Sequence, residues 1–219
     1  PLSYQWRKGN TAIPGVTAGR GIGVIDTLHL VEVPLAAAAI SGASGVAPET
    51  IAGVRGWFAD YLHWMRTDRN GLDEAATKNN HSVAYFLQVA VFARFVGDHA
   101  ELDNARRVYQ ETLLPGQLAP DGSFPRELTR TKPYGYSIFQ LDNIALLTEV
   151  LSSSESDLWH WRLPDGRNVA QAVAFLYPYL ADRDTWPFAR DIEHFEAWPV
   201  RQPALLLAGY RLNRPEYLA

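Results

Sequence analysis

Apolar side chains recur at three- and four-residue spacing along most of this chain, and that period constrains its fold more than any other feature. Ile51, Val54, Phe58, Tyr61, Leu62 and Met65 mark one helical face, and they follow Pro48 and Glu49, which suit a first helical turn. A second helix is expected over about 77–96, stopping at Gly97, a residue that closes helices in the left-handed conformation. Further helices are expected over about 102–114, from about 136 through "SIFQLDNIALLTEVL", over about 169–180, and as a pair within about 192–212. Ahead of these, "IDTLHLVEVPLAAAAI" reads as a helix kinked or divided by Pro34. Convincing strand patterns are lacking, so the fold class is all-α.

Several of these helices are apolar around most of their circumference. A helix of that kind needs neighbours on both sides, as in a curved array or toroid of helical hairpins, with a compact bundle as the alternative. Two long connections, 115–135 and 152–168, are rich in polar and aromatic residues. Loops of that length inside a compact domain tend to be functional. No low-complexity segment or linker divides the sequence, which reads as one domain over residues 1–219.

Composition narrows the function. With 219 residues and 47% hydrophobic content, the chain is long enough for a sizeable core. A formal charge of −4, with Lys and Arg scattered, offers no nucleic-acid footprint. Uninterrupted apolar stretches stay short of the roughly 18 residues expected of a membrane span, so no membrane partner is expected. Cys is absent, which removes disulfides and thiolate metal sites. The six His are dispersed, without the paired spacing of a zinc motif, and no metal is expected. "GRGIGVID" holds a GxG without the rest of a dinucleotide fingerprint, and "GxSxG" is missing, so neither a cofactor site nor a hydrolase elbow is expected. The chain opens on Pro1, as if partway through a loop, and reads as a fragment or processed product.

The candidate chemistry lies in "KNNHS" (Lys78 to Ser82) and in "PRELTRTKPYGYS". Asn is a poor choice inside a helix, because its side chain competes for backbone hydrogen bonds. Taken singly, Asn80 is explained as a cap, His81 as a core histidine, Arg130 as a solvated charge and Tyr136 as a core aromatic. Taken together, the residues suit removal of a proton next to a carboxylate. Amide and guanidinium donors neutralise the developing dianion, a His or Tyr takes the proton, and a Tyr protonates the departing glycosidic oxygen.

"KNNHS", "DGSFPRELTRTKPYGYSIFQLDNIALL", "IPGVTAGRGIGVIDT", "WRLPDGRNVAQAVAFLYPYL" and "HFEAW" together resemble the alginate-lyase superfamily of polysaccharide lyases, over about residues 13–210. The resemblance implies an (α/α) toroid or incomplete barrel, with this chain the C-terminal part of a longer toroid whose N-terminal segment adds to the cleft. It implies cofactor-free β-elimination on an acidic polysaccharide, of alginate or glucuronan type, by a secreted or periplasmic enzyme. Asn80 and Arg130 would contact the uronate carboxylate, His81 would neutralise it or deprotonate C5, and Tyr136 would be the general acid. Tyr136 follows Arg130 one position sooner than in the best-known alginate lyases, and Tyr134 is a neighbouring candidate. Asn79, Arg126, Tyr134, Trp159, His160, Arg162 and His194 are supporting candidates for sugar binding. Two other readings remain open: a glycoside hydrolase, drawing on Glu127, Asp142, Asp165 or Glu193, and a non-catalytic carbohydrate-binding protein.

Overall fold

The computed structural model describes residues 12–13 and 17–218; the opening segment, expected to start partway through a loop, lies outside the described residues. Ala12–Ile13 (β1) and Thr17–Ala18 (β2) form a short antiparallel pair, with Ala12 opposite Ala18. Everything after them is helix and connection. A 3₁₀ run, Gly21–Val31, continues into Glu32–Ile40 (α1), followed by Pro48–Thr67 (α2), Arg69–Ala75 (α3), Asn80–Val96 (α4) and His99–Val108 (α5). A π turn, Tyr109–Leu113, leads into Leu114–Gln117 (α6), then come Pro125–Leu128 (α7), Pro133–Leu151 (α8), Val169–Ala181 (α9) and Pro203–Arg211 (α10). The all-α reading holds.

Contacts gather into two compact units, residues 1–77 with 84–106, and residues 78–83 with 107–219. The first is built on the aromatic face read from the period. Phe58 packs on Phe92 at 4.7 Å between ring centroids, Tyr61 lies 5.7 Å from Phe92, and both are buried. Burying one such side chain contributes about 1.5–3 kcal/mol. The Tyr85 hydroxyl donates to the Met65 carbonyl at 2.9 Å, and burial pushes its pKa up to about 12. Thr27 Oγ1 sits 2.7 Å from both the Tyr61 hydroxyl and Gln88 Oε1. Those bonds tie the 3₁₀ run to the interior. The 20-residue stretch Gly21–Ile40 is long and apolar enough to cross a bilayer by length and composition. Of its apolar window 28% is buried, Thr27 and Val24 within it, while Ile22, Val33, Leu35 and Ile40 are exposed. Gly97 closes α4 at φ +83°, where its own N–H and that of Asp98 both reach the Ala93 carbonyl.

The second unit is organised around α8, which is buried on nearly all sides: Ile138, Leu141, Ile144, Ala145, Leu147 and Leu151 are inaccessible. Helices α7, α9 and α10 pack against it. An Asn168–Gln171 capping box starts α9.

Several sequence expectations shift: the helix expected from about 77 opens at Asn80, and the one expected from about 102 opens at His99. The helix expected to end before Pro115 continues to Gln117, because the Leu114 N–H reaches back five residues to Tyr109, and Pro115, in the first turn of α6, needs no donor. Helix α8 begins at Pro133 rather than Tyr136. The expected pair over 192–212 reduces to a 3₁₀ turn, Phe195–Ala197, and α10. His194 in the left-handed region (φ 61°) and the missing donors at Pro199 and Pro203 prevent a continuous helix.

Candidate active site

Two helix starts and one loop, all in the second unit, carry the candidate residues. Asn80 opens α4 and is buried, with 1% of its surface exposed. Its backbone N–H donates to Glu127 Oε1 at 2.8 Å and its side-chain Nδ2 donates to Glu127 Oε2 at 2.5 Å. Both oxygens of one carboxylate are therefore engaged by one residue. Glu127 lies in α7 and is equally buried. Burial pushes its pKa up, and the Asn80 hydrogen bonds and the charges of Arg130 and His81 pull against that rise. His81, half-buried, is thus within electrostatic reach of the same carboxylate.

Arg130 comes next. Its Nη1 lies 4.0 Å from Glu127 Oε2, and its guanidinium carbon sits 4.1 Å above the centre of the Tyr136 ring. About a third of the Arg130 side chain, 34%, reaches solvent. Tyr136, in the first turn of α8, is half-buried. Asn80, Glu127, Arg130 and Tyr136 therefore form one continuous set of contacts, with His81 beside it.

The start of α8 is held from a distance. Pro133 occupies the first turn, and the N–H groups of Tyr134 and Gly135 donate to the two oxygens of buried Asp191, at 2.8 and 2.9 Å. Gly135 has to be glycine here: a Cβ would fall 2.6 Å from Trp198 Cζ2 and 2.8 Å from Asp191 Oδ2. The Lys132–Glu193 ion pair at 2.7 Å and the bond from the Ile192 N–H to the Thr131 carbonyl at 3.2 Å lay segment 191–194 beside the loop before α8. Exposed His194 belongs to that segment. One turn beyond Tyr136, Gln140 Nε2 donates to Gln117 Oε1, Gln117 Nε2 donates to Ser82 Oγ, and Ser82 Oγ donates to the Asn79 carbonyl. This relay fastens the helix that carries Tyr136 to the strand of chain that carries Asn80 and His81.

Other candidates stand apart from that set. Tyr134 is buried, its hydroxyl donates to the Tyr179 carbonyl at 3.0 Å, and its ring packs edge-on to Trp186. Burial raises its pKa. Trp159 is 1% exposed, with its indole N–H on Glu149. His160 is exposed and paired with Asp157 at 2.6 Å, while Arg162 is exposed and donates to the Gly166 carbonyl. Asn79 is half-buried and Arg126 is exposed. Among the described residues, no cluster of three or more His, Asp or Glu side chains is placed to hold a metal. A groove of about 560 Å³, lined by Tyr177, Leu205, Leu206 and Tyr217 among others, contains none of the candidate residues.

Sequence reasoning missed Glu127 and Asp191 as parts of the site. Glu127 carries a signal, standing three residues before Arg130 within the polar segment "PRELTRTKPYGYS", but nothing local ties it to Asn80. Asp191 carried none, since it caps a helix 56 and 57 residues away in sequence.

The sequence profile described as "Alginate lyase" matches residues 3–186. No curated protein matches the chain. An alginate lyase of known structure from Bacteroides ovatus superimposes with a TM-score of 0.82 at 28% identity, over 91% of this chain and 53% of that one. Alginate lyase A1-III from Sphingomonas species A1 gives 0.67 at 17% identity, over 92% and 56%. A histidine-to-alanine variant of A1-III complexed with a tetrasaccharide gives 0.61 at 16% identity, over 90% and 53%. The chain thus spans about half the length of these solved structures, and it shares their (α/α) toroid fold class. With 184 consecutive positions matched by the profile, the chain belongs to the alginate lyase family.

Proposed function

We propose that this chain carries the catalytic apparatus of a polysaccharide lyase that cleaves a uronic-acid polymer, of alginate or glucuronan type, by β-elimination. One observation carries the reading: an amide, a guanidinium and a phenol are linked around a single buried carboxylate, with an imidazole beside them. These are the groups that a proton abstraction next to a carboxylate requires.

Asn80 and Arg130 receive the uronate carboxylate and hold the negative charge that grows on it. His81 takes the proton from C5, or Tyr136 takes it while passing its own hydroxyl proton to O4. The electron pair left at C5 forms the C4=C5 double bond, the C4–O4 bond breaks, and O4 leaves with a proton delivered by Tyr136. Where proton and leaving group lie on one face of the sugar, Tyr136 serves both steps. Tyr136 is half-buried and so open to a substrate, whereas the Tyr134 hydroxyl is occupied by a backbone carbonyl, which favours Tyr136 as the acid. His194 and Arg126, both exposed, supply binding contacts along the acidic chain.

A hydrolase needs two carboxylates facing each other across the scissile bond. Glu127 is taken up by Asn80, Asp142 by the Ala204 N–H, Asp165 by Arg167 and Glu193 by Lys132. That occupancy favours elimination. Secretion or residence in the periplasm, where such polymers are met, follows from the same reading.

The test is incubation with pure polymannuronate, polyguluronate and glucuronan while following the ultraviolet absorbance of the conjugated C4=C5 product. Reducing ends released without that absorbance would overturn the proposal.

A further inference from the structure

We infer that Glu127 is a positioning residue for the elimination, the group that locks the Asn80 carboxamide in the one orientation able to donate to a substrate carboxylate while restraining the Arg130 guanidinium. The inference rests on the lyase reading for its consequence in turnover, and on geometry alone for the orientation itself.

Both Glu127 oxygens are taken by Asn80, so its role is exerted through its neighbours. A free Asn side chain presents its oxygen and its NH₂ almost interchangeably, because rotation by half a turn exchanges them. Here Nδ2 faces Glu127 Oε2 at 2.5 Å while the backbone N–H of the same residue occupies Oε1 at 2.8 Å. Turning the amide over would set its carbonyl oxygen against a carboxylate oxygen. The carboxylate thus excludes the flipped state. It fixes the NH₂ group on the carboxylate side, with one further N–H on the same nitrogen to offer a uronate oxygen.

Arg130 answers to the same anchor. Its guanidinium is placed between Glu127 Oε2 at 4.0 Å and the Tyr136 ring at 4.1 Å. Glu127 thereby sets the separation between the two carboxylate-binding donors and keeps the cation over the ring of the proposed acid. A glutamine cannot replace it in kind, because one of the two Asn80 donors would then confront an NH₂ group.

The experiment compares wild type, Glu127→Gln and Glu127→Asp. The first measurement needs no turnover: side-chain amide resonances of Asn80 in ¹⁵N-labelled wild-type protein. We expect one strongly downfield-shifted proton that is slow to exchange with solvent, from the bond to Glu127, and loss of both features in Glu127→Gln. An Asn80 amide with no downfield shift and rapid exchange of both protons in wild type would overturn the inference whether or not the protein is a lyase. The second is steady-state elimination on the best polyuronate. Glu127→Gln should lower kcat/KM by about 10- to 100-fold, mostly in kcat because the lost donor alignment acts on the developing charge, and Glu127→Asp should recover part of it. Unchanged kcat in a folded Glu127→Gln protein would refute the positioning role. A wild type with the fixed amide but no elimination on any polyuronate would sink the lyase reading and leave the orientation standing.

Discussion

Replacing Asp142 with Asn should make the protein more stable at neutral pH and no more stable in acid. Asp142 lies in α8 and accepts the Ala204 N–H at 3.0 Å, capping the first turn of α10. Burial pushes its pKa from 3.8 up to about 6, outweighing that hydrogen bond. Between about pH 4 and pH 6 the native protein therefore holds a proton that the unfolded chain has released. Stability falls as pH rises through this window and levels off above it. A gap of about two pKa units corresponds to about 3 kcal/mol, and residual solvent contact makes that an upper limit. Asn keeps an oxygen for the Ala204 N–H and removes the charge. Urea unfolding of wild type and Asp142→Asn at pH 4, 5 and 7.5 should show curves that nearly coincide at the first pH and diverge by about 1–3 kcal/mol at the last. At about 2–4 °C per kcal/mol for a chain of this size, the melting temperature at pH 7.5 should rise by several degrees. A variant less stable than wild type at pH 7.5, or a difference independent of pH, would refute the reasoning.

Tyr136→Phe and His81→Ala should each reduce elimination by about 100- to 10,000-fold with unchanged circular dichroism, measured by initial rates on the preferred polymer. Tyr134→Phe should keep its activity and lose about 1 kcal/mol of stability, because its hydroxyl serves the Tyr179 carbonyl rather than a substrate; loss of turnover there would move the acid to Tyr134. Asp191→Ala should cost about 2–4 kcal/mol in urea unfolding, since two buried N–H groups at the start of α8 lose their acceptor.

The helices were legible because burial of an apolar face is a local, periodic signal. Phe58, Tyr61 and Met65 face the interior as their spacing required. The motif residues were legible for the opposite reason: Asn79, Asn80 and His81 break the helical preference where they stand. What escaped was everything set by contacts distant in sequence. Local rules look for a cap next to its helix, and they work at Asn168, which caps α9. The starts of α4, α8 and α10 are capped instead by Glu127, Asp191 and Asp142, from 47, 57 and 62 residues away.

Those three remote carboxylates explain why the site stands where it does. A helix start offers unpaired N–H donors and the positive end of the dipole, so it favours an anion. At α4 and α8 the anion comes from within the protein and is buried, and the first turns so fixed are those that carry Asn80, His81 and Tyr136. A local cap would have held each helix equally well, but it would not have set one helix start against another. Glu127 does so, because the carboxylate that receives the Asn80 N–H also faces Arg130, whose guanidinium lies over Tyr136. Burying Glu127 as a charge opposes stability, as its raised pKa records. Under the proposed function, the return is a pair of donors for the uronate carboxylate whose spacing no flexible side chain is left free to choose.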